Sequence, residues 1–133
     1  RWWAALNQGA WSKGPEDSEN RRLAVSTIEH ITDASLSVSD DVGWPPEAWA
    51  ALTASVWRFR AYGDFWSHLL VAEGAVDIAA EPELNLWDFA ALVPIVNEAG
   101  GKITGFDGAY PANSALTTNG RLHDRVLSLM WLG

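Results

Sequence analysis

Cysteine is absent from the 133 residues, and methionine occurs once. Without thiols the chain forms neither a disulfide framework nor a thiolate metal site, so the disulfide-rich and zinc-finger classes are excluded. Long apolar runs are lacking too, because Asp, Glu or Gly interrupts each one before the about 20 residues that a membrane helix needs. We therefore expect a globular, cytoplasmic protein that makes no contact with a membrane.

Positive charge is also scarce. Lys and Arg number nine against seventeen Asp and Glu, so the formal net charge is −8 at pH 7. Because nucleic-acid binding depends on clustered cations and these nine are dispersed, no nucleic-acid partner is expected. An acidic balance suits a protein that attracts divalent metal ions or cationic substrates, although ordinary solubility explains the charge more simply.

Strand and helix patterns alternate along the chain, with no linker or internal repeat between them. The strand patterns cover residues 2–6, 9–11, 23–26, 34–39, 57–62, 76–81, 102–104 and 115–118. The helix patterns cover residues 47–56, 64–73 and 86–99, and a last helix capped by Asn119 ends near Leu132. This alternation predicts one α/β domain in which helices cover a sheet. Most of the nine tryptophans are expected to be core residues or packing anchors, and some are expected to remain on the surface.

Several other features are expected to be structural. Gly101 and Lys102 do not belong to a phosphate loop, because that motif needs Gly where Val96 stands. The acids Asp40 and Asp41 are expected in a solvated turn. The histidines at positions 30, 68 and 123 are scattered, are expected at the surface or partly packed, and receive no role.

The segment LWDFAALVPIVNEAGG, residues 86–101, is the most informative part of the sequence. Its apolar positions recur at helical spacing, and Gly100 follows where a left-handed helix cap belongs. The pattern predicts one amphipathic helix with Asp88 in its first turn. Taken by itself, such a carboxylate is explained by helix capping and by the positive end of the helix dipole.

This segment resembles the C-terminal signature of the inositol monophosphatase family in its Trp-Asp pair, its small residues and its IVNEAGG ending. Upstream, RAYGDFWSHLLVAEGAVDIAAE, residues 60–81, resembles the histidinol-phosphate phosphatase branch of that family. The resemblance is strongest from about Arg58 to Gly108. It implies a layered αβαβα, sugar-phosphatase-like fold whose metal site lies between two halves of the chain.

The resemblance covers the C-terminal half of that fold only. The family's N-terminal magnesium motifs, a GEE-type segment and DPIDGT, have no counterpart in residues 1–133, and no Asp-Pro pair occurs. The chain also begins at Arg1 without an initiator Met or a signal peptide. We therefore expect the N-terminal half of the same enzyme as a partner and almost no activity from this chain alone, and a homo-oligomer remains open.

Five residues form the candidate substrate site: Arg60, Gly63, Asp64, Glu81 and Asp88. The resemblance implies that Asp88 is a ligand of catalytic Mg²⁺ and that Glu81 lies where inositol phosphatases contact substrate hydroxyls. It also implies that Asp64 departs from the small residues of the inositol-type pattern and agrees with the histidinol-phosphate branch. No catalytic residue beyond the metal ligand is predicted.

The residue types themselves suit these roles, although each has a structural alternative. Gly63 allows a sharp turn or a close backbone approach, and Asp64 stands where a helix N-cap belongs. Glu81 is otherwise a loop acid, and Arg60 either reaches the phosphate, pairs with the acids or forms a structural ion pair. Two acids near one pocket suit an amino-alcohol substrate, because a desolvated ammonium needs a charged partner.

The implied function is a magnesium-dependent phosphomonoesterase acting on a small phosphorylated substrate, histidinol phosphate. Another phosphatase of the same family, acting on inositol 1-phosphate or another small phosphomonoester, is the alternative enzyme. A non-catalytic interaction module is the alternative of a different class. Upstream coding sequence would separate the two classes, since GEE and DPIDGT segments there favour the enzyme.

Overall fold

The computed structural model describes residues 1–130, which form eight strands and five α-helices. The strands are β1 (Trp2–Ala5), β2 (Gly9–Ser12), β3 (Arg21–Arg22), β4 (Ser35–Ser37), β5 (Arg58–Arg60), β6 (Ile78–Glu81), β7 (Lys102–Thr104) and β8 (Ala115–Thr118). The helices are α1 (Pro46–Ser55), α2 (Asp64–Ala72), α3 (Leu86–Phe89), α4 (Leu92–Glu98) and α5 (His123–Met130), with a 3-10 turn at Ile31–Asp33. Among these described helices, none has the length and apolar character to cross a membrane.

The strands form two sheets, which alternate with the helices in layers. A five-stranded mixed sheet has the order β5-β4-β6-β8-β7, and an antiparallel three-stranded sheet has the order β1-β2-β3. On one face of the larger sheet, Leu36 packs with Leu52 of α1 and Val126 of α5. On the other face, Ile103 packs with Val96 of α4, and the smaller sheet covers α4 from outside. The sheet covered by helices is confirmed.

Three strands of the larger sheet run parallel, and this arrangement positions the site. Leu36 of β4 lies opposite Phe59 of β5 on one side and Ile78 of β6 on the other. Helix α1 connects β4 to β5, and α2 connects β5 to β6. Because parallel strands end at the same edge, the segments that follow β4, β5 and β6 meet there.

The predicted helix at 86–99 is wrong in one respect, because it is two helices. Helix α3 ends at Phe89 and α4 begins at Leu92. Pro94 accounts for the interruption, since it has no N–H to donate to the carbonyl of Ala90 and its ring crowds that carbonyl. Gly100 has the expected left-handed conformation, with φ of 90°. Asp88 therefore belongs to a separate helix of one turn.

Other boundaries also differ from the prediction. Residues 23–26 form no strand, and β3 instead lies at residues 21–22, where no strand was predicted. The predicted strands at 102–104 and 115–118 are confirmed at both ends. Asn119 does not occupy the cap position of α5, which begins at His123; its Oδ1 accepts hydrogen bonds from the amides of Arg121 and Leu122 at 3.1 and 3.2 Å and so stabilises the turn before that helix. The predicted end of that helix, near Leu132, lies outside the described residues.

The tryptophans differ widely in burial. Of the eight in the described part of the chain, Trp44 is buried, at 7% exposure, and Trp2 and Trp49 are partly buried and pack against the core. Trp57, Trp66 and Trp87 are 65%, 40% and 79% exposed, as expected for a minority of surface tryptophans. The ninth, Trp131, lies outside the described residues.

Two histidines are core residues, which corrects the expectation of surface or partly packed positions. His68 of α2 contacts the Thr117 hydroxyl through Nδ1 at 2.8 Å, on one side of β8. His123 of α5 contacts the hydroxyls of Thr104 and Thr118 at 2.9 and 3.0 Å. Burial lowers the pKa of each imidazole to about 4, and the charge of Lys102 adds to this effect at His123.

These buried imidazoles predict an acid-sensitive fold. Below pH 6.5 the unfolded chain binds protons that the folded chain refuses until about pH 4, so the free energy of unfolding should fall across that interval. The loss should be about 2 kcal/mol per histidine between pH 7 and pH 5. Urea unfolding of His68→Gln should show a smaller loss than wild type, whereas His30→Gln, at an exposed position, should show the full loss. An unchanged loss in His68→Gln would contradict this explanation.

Candidate functional site

An open cleft of about 790 Å³ lies at the edge where the parallel strands end. Five acids line it: Asp40, Asp64, Glu81, Glu83 and Asp88. Its apolar wall includes Trp2, Phe65, Leu69, Trp87, Leu92 and Ile95. No Lys, Arg or His lies among the described lining residues. A cleft with this many carboxylates and no basic side chain attracts cations, whether metal ions or ammonium groups.

Glu81 is the most enclosed of these acids, with 6% exposure at the end of β6. Its Oε1 accepts hydrogen bonds from both the amide and the hydroxyl of Ser39, each at 2.7 Å. Burial raises the pKa of Glu81, and repulsion from Asp64 and Asp40 adds to the rise, while the two bonds from Ser39 oppose it. A cation bound at this carboxylate would offset the cost of its burial and the repulsion from the neighbouring acids.

The turn between β5 and α2 brings Asp64 to the same place. Gly63 has φ of 84° and ψ of 159°, a conformation open in practice to glycine, and a Cβ there would lie 3.6 Å from Ser39 Oγ. Its amide donates to Ser67 Oγ at 3.1 Å, and Ser67 Oγ lies 2.8 Å from Ser37 Oγ of β4. Of the two roles expected for Gly63, the structure shows the sharp turn, whereas a Cβ at this position would meet only ordinary contacts.

Asp64 is the first residue of α2, so Gly63 rather than Asp64 occupies the N-cap position. The Asp64 amide donates to Ser39 Oγ at 2.9 Å, and its backbone has a positive φ of 49°. Its carboxylate is exposed and lines the cleft. Because capping does not explain the carboxylate, it is available to a ligand.

Asp88 occupies the third position of α3, where it caps the helix. Its Oδ2 accepts a hydrogen bond from the amide of Asn85 at 2.8 Å. The residue is exposed, and it lines the cleft beside Trp87. The predicted structural role of this first-turn acid is therefore confirmed, and its second oxygen, Oδ1, accepts no hydrogen bond from the described residues.

Arg60 does not line the cleft. It lies at the end of β5, and its guanidinium donates to the carbonyl of Phe59 at 2.7 Å. Among the described residues it forms no ion pair, so the predicted alternative of a structural ion pair is not observed. The structure thus brings together three of the five predicted site residues in the cleft, places Gly63 in the supporting turn and leaves Arg60 outside the lining.

Oxygen donors of this kind fit a hard divalent cation such as Mg²⁺. Within residues 1–130, however, no group of three or more His, Cys, Asp or Glu side chains is arranged around one metal position. The donor chemistry fits a metal ion, but the described residues alone do not form a coordination sphere.

The sequence patterns did not identify Ser39 as a site residue, and they placed Asp40 in a solvated turn. That turn exists, because Asp40 Oδ1 accepts a hydrogen bond from the amide of Val42 at 2.9 Å, but Asp40 also lines the cleft. A usable signal was present in the sequence. Ser39 is the last residue of the strand predicted at 34–39 and Asp40 is the next residue, and such positions meet a site whenever that strand is parallel to its neighbours.

A second buried carboxylate, Asp77, shows the contrast with Glu81. Asp77 lies just before β6, and both of its oxygens accept hydrogen bonds: Oδ1 from the Ser26 hydroxyl and Oδ2 from the amide and hydroxyl of Ser35. Its exposure is 6%, the same as that of Glu81. Asp77 is therefore satisfied by the protein, whereas only one Glu81 oxygen is.

Comparisons with known proteins agree with this geometry. The sequence model of the inositol monophosphatase family matches residues 1–132. Histidinol-phosphatases of Mycobacterium tuberculosis and Streptomyces coelicolor are 50% and 47% identical, over 100% and 98% of this chain. Those matches cover 53% and 51% of the relatives, so the chain spans about half the length of the curated relatives it matches.

A solved structure shows the same architecture. The IMPase of Thermotoga maritima superposes with a TM-score of 0.82 at 27% identity, over 96% of this chain and 49% of that one. The fold and the family resemblance that the sequence predicted are both confirmed.

The Gly63 turn gives a prediction about stability. Gly63→Ala should lower the free energy of unfolding by about 1 to 3 kcal/mol, because its φ and ψ are strained for any residue with a Cβ. Gly63→Asn should be no better, since asparagine tolerates a left-handed helical ψ but not one near 159°. Chemical unfolding of both variants measures this, and a stable Gly63→Asn would show that the turn relaxes to another conformation.

Proposed function

The chain belongs to the inositol monophosphatase family, and on that premise we propose that it is the C-terminal half of a magnesium-dependent histidinol-phosphate phosphatase. The observation that carries the proposal is the acidic cleft, in which Asp64 and Glu81 share Ser39 as a hydrogen-bond partner and Asp88 faces the same space. The similarity to two histidinol-phosphatases supports the substrate.

The part played by the metal follows from the donors. Enzymes of this family are metal-dependent, and Mg²⁺ when bound supplies charge that polarises a phosphoryl group and lowers the pKa of a coordinated water. Asp88 would contribute one carboxylate, whose orientation the Asn85 amide fixes. Since one carboxylate cannot hold Mg²⁺ tightly, the other ligands belong to the N-terminal half that we propose as the partner of this chain.

Asp64 and Glu81 would recognise the organic part of the substrate. A desolvated ammonium needs a charged partner, and Glu81 is enclosed enough to exclude much of the competing water. Phe65 and Trp87 add aromatic surface to the same cleft, which suits a flat ring such as imidazole. Histidinol phosphate has both an ammonium group for the acids and an imidazole ring for the aromatic side chains.

An inositol 1-phosphate phosphatase is the second candidate, and the likeness to the IMPase of Thermotoga maritima favours it. Asp64 argues against it, since the hydroxyls of a polyol gain little from a second negative charge beside Glu81. The same pair of residues therefore provides the test between the two substrates.

If the other metal ligands belong to an N-terminal half, residues 1–133 alone should release no phosphate from histidinol phosphate above background at saturating Mg²⁺. Co-expression with the N-terminal half of a related histidinol-phosphatase should restore turnover. In that complex Asp88→Asn should reduce activity by at least about 10 to 100-fold, with partial rescue by higher Mg²⁺. Phosphate release measures the activity of the single chain and of the complex. Robust turnover by the single chain would show that it needs no ligands from an N-terminal half.

The substrate assignment predicts a selective loss. In the complemented enzyme, Glu81→Gln and Asp64→Asn should each lower kcat/KM for histidinol phosphate about tenfold to a hundredfold, because each removes roughly 1.5 to 3 kcal/mol of charge-assisted hydrogen bonding. Inositol 1-phosphate, which has no ammonium, should be spared and serves as the control substrate. Equal losses on the two substrates would leave the ammonium site without support.

A further inference from the structure

We propose that Ser39 is a positioning residue that fixes Glu81 and the start of α2 for recognition of the substrate cation. The proposal rests on the function proposed above and deepens it. Three contacts carry it: the Ser39 amide to Glu81, the Ser39 hydroxyl to Glu81, and the Asp64 amide to the Ser39 hydroxyl, at 2.7, 2.7 and 2.9 Å. One residue thus connects the ends of three parallel strands.

The hydroxyl of Ser39 has a single proton, and the distances to the two nearby carboxylates show which of them accepts it. Glu81 Oε1 lies at 2.7 Å and Asp64 Oδ1 at 3.3 Å, so the proton is donated to Glu81. A lone pair of the same oxygen accepts the Asp64 amide. The hydroxyl is therefore a donor toward one acid and an acceptor from the backbone of the other, a combination that Ser or Thr provides and Ala does not.

Both hydrogen bonds from Ser39 are accepted by Oε1 of Glu81, so the other carboxylate oxygen stays open to a ligand. Glu81 Oε2 accepts no hydrogen bond from the described residues, so it is the oxygen left to meet a cation in the cleft. Loss of the hydroxyl would leave Glu81 with the amide bond alone, in the repulsive field of Asp64 and Asp40. The carboxylate would then turn away from them, and its free oxygen would no longer be held in place.

The activity test uses this chain complexed with an N-terminal half. Ser39→Ala should raise KM for histidinol phosphate about tenfold, the size of one charge-assisted hydrogen bond, with kcat little changed. Inositol 1-phosphate should show no such change, and Ser39→Thr should restore the wild-type KM because it keeps the hydroxyl. Ser128→Ala is the matched control, since its exposed hydroxyl bonds only within α5.

A double-mutant cycle separates positioning from general damage. If Ser39 acts through Glu81, the Ser39→Ala, Glu81→Gln double variant should lose no more than Glu81→Gln alone. Additive losses, or equal losses on both substrates, would overturn the proposal for Ser39 while leaving a selective Glu81→Gln effect to support the function.

A measurement without substrate covers the case in which the proposed function fails. In the chain alone, hydrogen exchange of the Asp64 amide should accelerate in Ser39→Ala and stay slow in Ser39→Thr and Ser128→Ala. If exchange accelerates but Glu81→Gln shows no selectivity between substrates, the proposed function fails while the Ser39 contact stands. If exchange in Ser39→Ala equals that of wild type, Ser39 does not hold the start of α2, and the proposal is wrong.

Discussion

The structure depends on the pairing of β4 with two parallel neighbours. Because β4 lies between β5 and β6 and runs in their direction, the chain must leave all three strands at one edge and return through α1 and α2. The contacts among Ser39, Asp64 and Glu81 follow from that constraint. These residues are far apart in sequence, yet Ser39 and Asp64 lie in the segments that follow β4 and β5, and Glu81 is the last residue of β6.

The carboxylates at the two ends of β6, Asp77 and Glu81, differ in how many of their oxygens accept hydrogen bonds. Before β6, Asp77 has both oxygens occupied by serine donors, so its negative charge is fully absorbed by the protein and serves the fold. At the end of β6, Glu81 is equally enclosed but has one oxygen occupied, and two further acids stand near it. The second oxygen of Glu81 is open to the cleft, where water or a cation can meet it, and this separates a site from a structural contact.

Much of the fold could be predicted from local signals, because hydrophobic spacing, glycine caps and turn residues act over a few positions. The strands β7 and β8 and the turn at Gly63 belong to this class. Pro94 was also a local signal, but the single helix predicted at 86–99 did not take it into account. For Ser39 the sequence offered only its place at the end of a predicted strand. Its bond to Glu81 was not predictable, because the two residues are 42 positions apart and meet only once β4 and β6 are adjacent. The burial of His68 and His123 likewise depends on packing against β8, which no local pattern reveals.

The uneven burial of the tryptophans makes the chain its own spectroscopic probe. Trp87 lines the cleft and is 79% exposed, whereas Trp44 is 7% exposed and lies in the core on the opposite face of the larger sheet. Trp2 lines the cleft as well. Indole emission shifts to shorter wavelength as water leaves the ring, so an occupant of the cleft shifts the emission of these two residues and leaves that of the buried Trp44 unchanged within the summed spectrum. Occupancy of the acidic cleft is therefore visible in the intrinsic fluorescence of the unlabelled protein.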